Sequence, residues 1–397
     1  MRSTSRRARQ PTARSALPSR LPGLDVLRAV AATTVALSHL LRVLTLGSPD
    51  AAKLAPRAWD DLNVGFYALG AWAVSLFFVV SGLCIHLPMA RRLASDPSSA
   101  LEVRPYLWRR FRRIYPPHLV ALIASIAVAA LLPAALSTEA RLISVPTWPQ
   151  LALHLLLAHT FSPAAFNSAN RVFWTIAVES QFYLLYPLLL LWRRRWPWSR
   201  IALALLALSL AMAGTSAELI PSLGWVVRAT FAARIWEWVL GCWIAERLVA
   251  QGKPSPTGRA PLFAALVLTL GATFAAYFFQ AGVIAINWVG PLLMAGVVIL
   301  SSSLTIRQKS WLDRALLAVG LRSYSLYLTH AIAITGIAGL ILTSDLSWRW
   351  RAALEILGSA LLCAIFFRAV EQPFLKFIKP VAATDGRVEA APAAPRH

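Results

Sequence analysis

Of the chain's 397 residues, 58% are hydrophobic and only 14% charged, and the mean hydropathy is +0.60. A soluble domain could not carry that balance without a large exposed apolar surface, so the composition points to a polytopic membrane protein. The formal net charge of +22 does not indicate a nucleic-acid partner, because the basic residues fall in short segments between apolar runs, the pattern of cytoplasmic membrane loops. Cys84, Cys242 and Cys363 lie far apart in apolar stretches, with neither metal-ligand spacing nor loop positions suited to a disulfide framework.

Residues 1–21 form a basic tail with Arg2, Arg6, Arg7, Arg9, Arg14 and Arg20 and no acidic residue, which is expected to be cytoplasmic. A cleaved signal peptide would also begin this way, but cleavage would discard the polar stripe that follows. A segment of about 20 apolar residues crosses a bilayer. By that measure spans are expected near 24–46, 64–88, 115–136, 174–192, 199–214, 231–250, 261–279, 285–304, 316–343 and 352–375. The Arg-rich loops at Arg91 to Arg113, Arg193 to Arg200, Lys253 to Arg259 and Arg307 to Arg314 alternate with segments poor in net charge at 47–63, 137–173, 215–230, 280–284 and 344–351. The expected architecture is therefore an all-α transmembrane bundle of about ten spans with both termini cytoplasmic. The membrane-embedded part covers 22–379, and the Ala/Pro-rich tail 380–397 is expected to be disordered.

The first span carries Asp25, Arg28 and His39 on one helical face, since steps of three and four connect them through Ala32 and Val35. Each charge at mid-membrane costs about 2.5–3.5 kcal/mol even on the lenient insertion scale, so such residues are functional candidates by default. The bland reading is an interfacial Asp/Arg pair with His39 as an interhelical contact. At the start of the third span, Arg110 and Arg113 lie one turn apart and can present two planar forks to a phosphate-bearing ligand, or serve as an ordinary positive-inside anchor. Pro116 and Pro117 should cap or re-aim the helix that follows. In the external segment 137–173, the piece from Gln150 to Phe161 is too short to span and is expected to lie at, or dip into, the outer interface. Its His154 and His159, five residues apart, should occupy different helical faces, and no metal site is assigned.

The fourth span buries Glu179 with Trp174, Tyr183 and Tyr186, and a carboxylate there needs a partner; His39, expected at a similar depth, is the candidate. In the sixth span Arg234 and Glu237 are three apart, an ion pair more structural than catalytic in character. The ninth aligns Ser323, Tyr327 and His330 on one face, with His330 near the depth of His39.

Taken together, LDVLRAVAATTVALSH, FFVVSGLCI (Phe77 to Ile85), RRFRRIYPP, WTIAVESQFYLLYP, SYSLYLTH and the closing Glu371-Gln-Pro373 make the chain resemble the acyltransferase type 3 family. These are integral-membrane enzymes that O-acylate carbohydrates and other hydroxylated acceptors. The resemblance covers nearly all of 22–375, with the motifs in the family's order; His118 departs from the aromatic residue usual after the paired prolines. No appended extracytoplasmic esterase-like domain is expected. The resemblance implies acyl-CoA, acetyl-CoA first, as a co-substrate held through Arg28, Arg110 and Arg113. It implies His39 as general base or acyl carrier with Glu179 orienting it or moving its proton, and Asp25, Ser81, Trp174, Tyr183, Tyr327 and His330 as candidate acceptor-side groups. The expected setting is the inner membrane of a bacterium, with the lipid bilayer, acyl-CoA and a carbohydrate such as O-antigen or exopolysaccharide as partners and with no nucleic acid. A proton-coupled transporter or flippase is the alternative, since intramembrane ionisable chains mark such pathways too. The internal pseudo-symmetry and matching broken helices of transporters are not visible.

Overall fold

Long apolar stretches punctuated by Pro, Gly and basic clusters become helices, because inside a bilayer only a helix satisfies every backbone polar group within its own segment. The computed structural model describes residues 21–47, 56–133, 136, 140–219, 227, 229–251, 288–302 and 310–376. Among them no strand occurs; a lone antiparallel bridge joins Ile143 to Asn170. In chain order the helices are α1 (Pro22–Gly47), α2 (Pro56–Ser95), α3 (Val103–Ala130), α4 (Trp148–Leu155), a 3₁₀ turn at His159–Phe161, α5 (Pro163–Phe166), α6 (Trp174–Arg193), α7 (Trp198–Leu219) and α8 (Phe231–Gln251). They continue as α9 (Gly290–Ser302), α10 (Trp311–Leu321), α11 (Ser323–Leu340), α12 (Trp348–Phe366), a π-helical turn at Phe367–Glu371 and α13 (Gln372–Lys376).

Among the described residues, five stretches are long and apolar enough to cross a membrane: Pro22–Leu46, Ala68–Ser95, Val103–Ala130, Trp174–Arg193 and Trp348–Leu375. The helices expected at 199–214 and 231–250 are present as α7 and α8, whereas the expected span 261–279, the basic tail 1–20 and the tail 380–397 lie outside the described residues. Two expectations change. Pro116 and Pro117 do not start the third helix; α3 begins at Val103, takes in the whole arginine cluster and runs through both prolines. A proline inside a helix frees the carbonyl four residues back, here those of Arg112 and Arg113; next to them the Tyr324 hydroxyl donates to Ile114 O at 2.9 Å and ties α11 to this stretch of α3. The run 316–343 is not one helix but two, α10 and α11, divided at Arg322, whose φ of −100° and ψ of 7° leave the helical region. There the Arg322 side chain turns back onto Ala318 O at 3.1 Å and lies over the Phe367 ring.

The bundle is organised around α2, which packs against α8, α1 and α9. At the α2–α8 crossing, Gly82 faces Gly241: a Cβ on Gly82 would stand 1.9 Å from Trp238 O, and one on Gly241 would stand 2.0 Å from Val79 O. Only two glycines let the backbones approach that closely, the small-residue packing used where apolar side chains alone give no preference. Arg234 and Glu237 form the expected ion pair at 2.6 Å, almost fully buried, and Arg234 Nη2 also donates to Ser75 Oγ at 2.9 Å. The pair therefore ties α8 to α2.

Glu371, in the π-helical turn, accepts from both the backbone N–H and the hydroxyl of Ser325, at 3.1 and 2.5 Å. A carboxylate beside the first turn of a helix meets its free N–H groups and favourable dipole. The Glu371-Gln-Pro element thus anchors the start of α11, the helix that carries Tyr327 and His330.

Candidate active site

Arg28 from α1 and Arg110 and Arg113 from α3 line one cavity of about 230 Å³, together with Ser81 and Cys84 of α2, Thr175, Glu179 and Tyr183 of α6, and Ser323, Tyr324 and Tyr327 of α11. The three guanidiniums are half-buried. Arg28 reaches back to Asp25 at 3.4 Å, a long ion pair that holds its stem without saturating its five donors. Arg110 lies over the rings of Tyr106 and Tyr183, 5.8 and 5.9 Å from their centroids, and its buried Nε has no hydrogen-bond partner among the described residues. Arg110 and Arg113 fall one turn apart on α3, so both face the same void.

Glu179 sits within this cavity in a knot of hydroxyls. Its Oε1 accepts from Ser81 Oγ at 2.6 Å and also from the Tyr183 hydroxyl; the two hydroxyls are 3.1 Å apart, and Trp238 Nε1–H donates to Ser81 at 3.3 Å. The Ser81-Gly82 pair explains the geometry. Gly82 admits the α8 backbone, and that approach brings Trp238 to its serine neighbour.

His39 does not pair with Glu179. Its Nδ1 is 3.0 Å from His330 Nε2, the rings stack with centroids 5.2 Å apart and planes inclined by 25°, and His330 Nδ1 is 3.0 Å from Leu326 O. The physical reason is helix placement: α1 packs against α11, which carries His330 to the face of α1 where His39 projects, while the Glu179 carboxylate is taken up by Ser81 and Tyr183. Tyr327 connects the two regions. It lines the cavity, its ring meets His330 edge-on at 5.7 Å, and its hydroxyl accepts from Thr175 at 2.6 Å and donates to Val172 O at 3.2 Å. Of the other expected residues, Asp25 serves as the Arg28 partner, and Trp174 stacks on Phe166 away from the cavity wall. Sequence reasoning missed Tyr324, whose hydroxyl donates to Ile114 O on α3 and whose side chain lines the cavity; its place beside Ser323 and Tyr327 was the available signal. It also missed Cys84, one turn after Ser81 in α2.

The segment from Gln150 to Phe161 takes an unexpected path. Helix α4 stops at Leu155, Leu157 turns through a φ of 54°, and the chain doubles back. His154 and His159 therefore meet, rings stacked 3.9 Å apart, rather than pointing from different faces. Gln181 donates to Leu157 O at 3.1 Å and Tyr115 to Leu155 O at 3.0 Å, so the tip is inserted between α3 and α6. Beneath it lies an apolar groove of about 1310 Å³ that shares Arg110, Ile114 and Tyr183 with the polar cavity.

Among the described residues no group of three or more His, Cys, Asp or Glu side chains is disposed to hold a metal ion. The family described as "Acyltransferase domain" matches residues 21–368. Peptidoglycan O-acetyltransferase OatA of Listeria monocytogenes is 23% identical over 90% of this chain and 56% of its own length. Nodulation protein 10 of Rhizobium leguminosarum is 25% identical over 89% of this chain and 92% of its own. Acyltransferase MdmB of Streptomyces mycarofaciens is 31% identical over 43% and 39%, respectively. This chain thus spans little more than half the length of the Listeria relative. No solved structure matches significantly.

Proposed function

The chain belongs to the acyltransferase type 3 family, and from that premise we propose that it is a membrane-bound O-acyltransferase that moves an acyl group, acetyl first, from acyl-CoA to a carbohydrate hydroxyl. The donor enters from the cytoplasm and the acceptor is extracytoplasmic or lipid-linked, in the inner membrane of a bacterium. The observation that carries the reading is the convergence of Arg28, Arg110 and Arg113 on one cavity whose Tyr327 wall abuts the His39–His330 pair.

Planar guanidinium forks suit the phosphates of coenzyme A, and in a partly desolvated cavity such contacts are stronger than in water. Arg28 and His39 are separated by about 16 Å of helix rise, a span that suits an extended pantetheine arm and would be pointless for a compact donor. His39 Nε2 takes the proton as the acceptor O–H bond breaks; the oxygen bonds to the thioester carbonyl carbon, the C–S bond breaks, and the departing thiolate takes the proton from Nε2. If the imidazole accepts the acyl group first, the same nitrogen is the nucleophile and the thiolate leaves before the alcohol arrives. Ser81, Glu179 and Tyr183 form a preorganised polar wall on the route between the arginines and the histidines. The name peptidoglycan O-acetyltransferase borne by a matched relative supports a carbohydrate acceptor, and the apolar groove that shares Arg110 and Tyr183 with the cavity supports one carrying a lipid tail.

Purified protein in lipid nanodiscs should transfer label from radiolabelled acetyl-CoA to isolated envelope polysaccharide or lipid-linked glycan. The His39→Ala variant should lose that transfer almost entirely. Full transfer by the variant, or movement of glycan across vesicles without any acylation, would overturn the reading.

A further inference from the structure

The contact between the two imidazoles fixes which nitrogen of His39 is free to react. We propose that His330 is a positioning residue that holds His39 as its Nδ1–H tautomer and so leaves the Nε2 lone pair available; its catalytic meaning rests on the role of His39 given above.

The proton bookkeeping begins at a carbonyl. His330 Nδ1 lies 3.0 Å from Leu326 O, and a carbonyl oxygen only accepts, so that nitrogen carries a hydrogen. His330 is fully buried, and no carboxylate contacts its ring among the described residues; a cation there would be costly, so the ring is neutral and its Nε2 bare. That bare nitrogen is 3.0 Å from His39 Nδ1, so the single hydrogen between them belongs to His39 Nδ1. A neutral His39 is then unprotonated at Nε2. Among the described residues no side chain hydrogen-bonds this atom and it is not among the enclosed, partnerless polar atoms, so it faces accessible space; the backbone of Val35, one turn back on α1, is the ring's other partner.

Three features hold the relay in place. Leu326 is one turn before His330 on α11, so the anchoring carbonyl is supplied by the same helix. Tyr327 meets the His330 ring edge-on at 5.7 Å, and its own hydroxyl is tied to Thr175 and Val172. Glu371 clamps the first turn of α11 through Ser325. The device does for His39 what a buried carboxylate does for many catalytic histidines, setting tautomer and ring orientation, but with a neutral acceptor. Once Nε2 has taken the acceptor's proton, the Nδ1–H···Nε2 bond becomes charge-assisted and strengthens as the reaction needs it.

The test uses the full chain in nanodiscs with ring-¹⁵N-labelled histidine, read by solid-state NMR, with the His39 signals identified by their loss in His39→Ala. The wild type should show a pyrrole-type Nδ1 and a pyridine-type Nε2 for His39. In His330→Leu, which removes the acceptor, the His39 signals should move to the Nε2–H tautomer or to a mixture. Its kcat should fall by on the order of a hundred-fold or more, with KM for acetyl-CoA unchanged, and His330→Gln, whose side-chain oxygen can accept from Nδ1–H, should recover part of both. A wild-type spectrum with His39 protonated at Nε2 would overturn the inference whether or not any variant folds. So would an unchanged tautomer and kcat in His330→Leu. A fully active His39→Ala would instead remove the proposed function and leave the tautomer assignment standing.

Discussion

Arg110 has a buried Nε without a partner among the described residues and a guanidinium spread over two tyrosine rings, a combination that costs desolvation and leaves donors for a ligand. If it holds a coenzyme A phosphate, Arg110→Ala should lose a charge-assisted contact of about 1.5–3 kcal/mol. KM for acetyl-CoA should then rise roughly ten- to hundred-fold while kcat changes little. Arg110→Lys should recover only part, because an ammonium cannot reproduce a two-point fork. Steady-state kinetics against acetyl-CoA concentration check this, and an unchanged KM in the alanine variant would remove Arg110 from donor binding. Stripe periodicity and burial cost marked Arg28, His39 and Glu179 as candidates, whereas charge alone favoured reading Arg110 and Arg113 as a positive-inside anchor. Which of them touch was not legible, because spacing along one helix gives depth and face but not the azimuth of its neighbours. Glu179 was therefore matched to His39 on depth alone, whereas packing gives it Ser81 and Tyr183 and gives His39 the imidazole of His330.

Two elements carry consequences of their own. At the α2–α8 crossing, a methyl group on Gly241 would meet Val79 O at 2.0 Å and the Leu83 nitrogen at 2.6 Å. Backbone atoms cannot swing aside, so Gly241→Ala should force the helices apart and cost about 1–3 kcal/mol. The expected readout is a lower unfolding temperature in nanodiscs, together with reduced activity as Trp238 withdraws from Ser81. The inserted α4 segment predicts a pH dependence. Burial lowers the His154 pKa to about 4, and burial with the neighbouring His154 and His118 rings lowers that of His159 to about 2. Both stay neutral in the folded chain while the unfolded chain takes up protons below about pH 6.5. Their contribution to stability is therefore intact above that pH and is lost as pH falls, by about 1.4 kcal/mol per pH unit per histidine at most, until the folded-state values are reached. The unfolding temperature should drop between pH 7.5 and pH 5, and His159→Leu should flatten the drop; a flat wild-type profile would contradict the burial argument. The sequence indicated that Gln150 to Phe161 could not span. It did not indicate that the chain reverses at Leu157, since a leucine at positive φ is imposed by surrounding contacts rather than by its own preference.

At the scale of the molecule, a multi-pass helical membrane protein was readable from composition and the length of apolar runs, because the bilayer enforces both without regard to partners. The motifs from Asp25 to Pro373 led to the family that residues 21–368 match. The helix boundaries were less readable at prolines and at polar residues inside apolar runs. Helix α3 runs on through Pro116 and Pro117, and Arg322 closes α10 on itself and divides an apolar run that reads as continuous. By itself the sequence determined the solvent the chain lives in, the helical class and the polar groups it must shelter, all set by local chemistry against lipid. Only the tertiary structure decided that three arginines share one cavity, that two glycines set the α2–α8 contact and that His39 faces His330. Those facts depend on how helices far apart in the chain rotate and pack, and no residue's own chemistry specifies that.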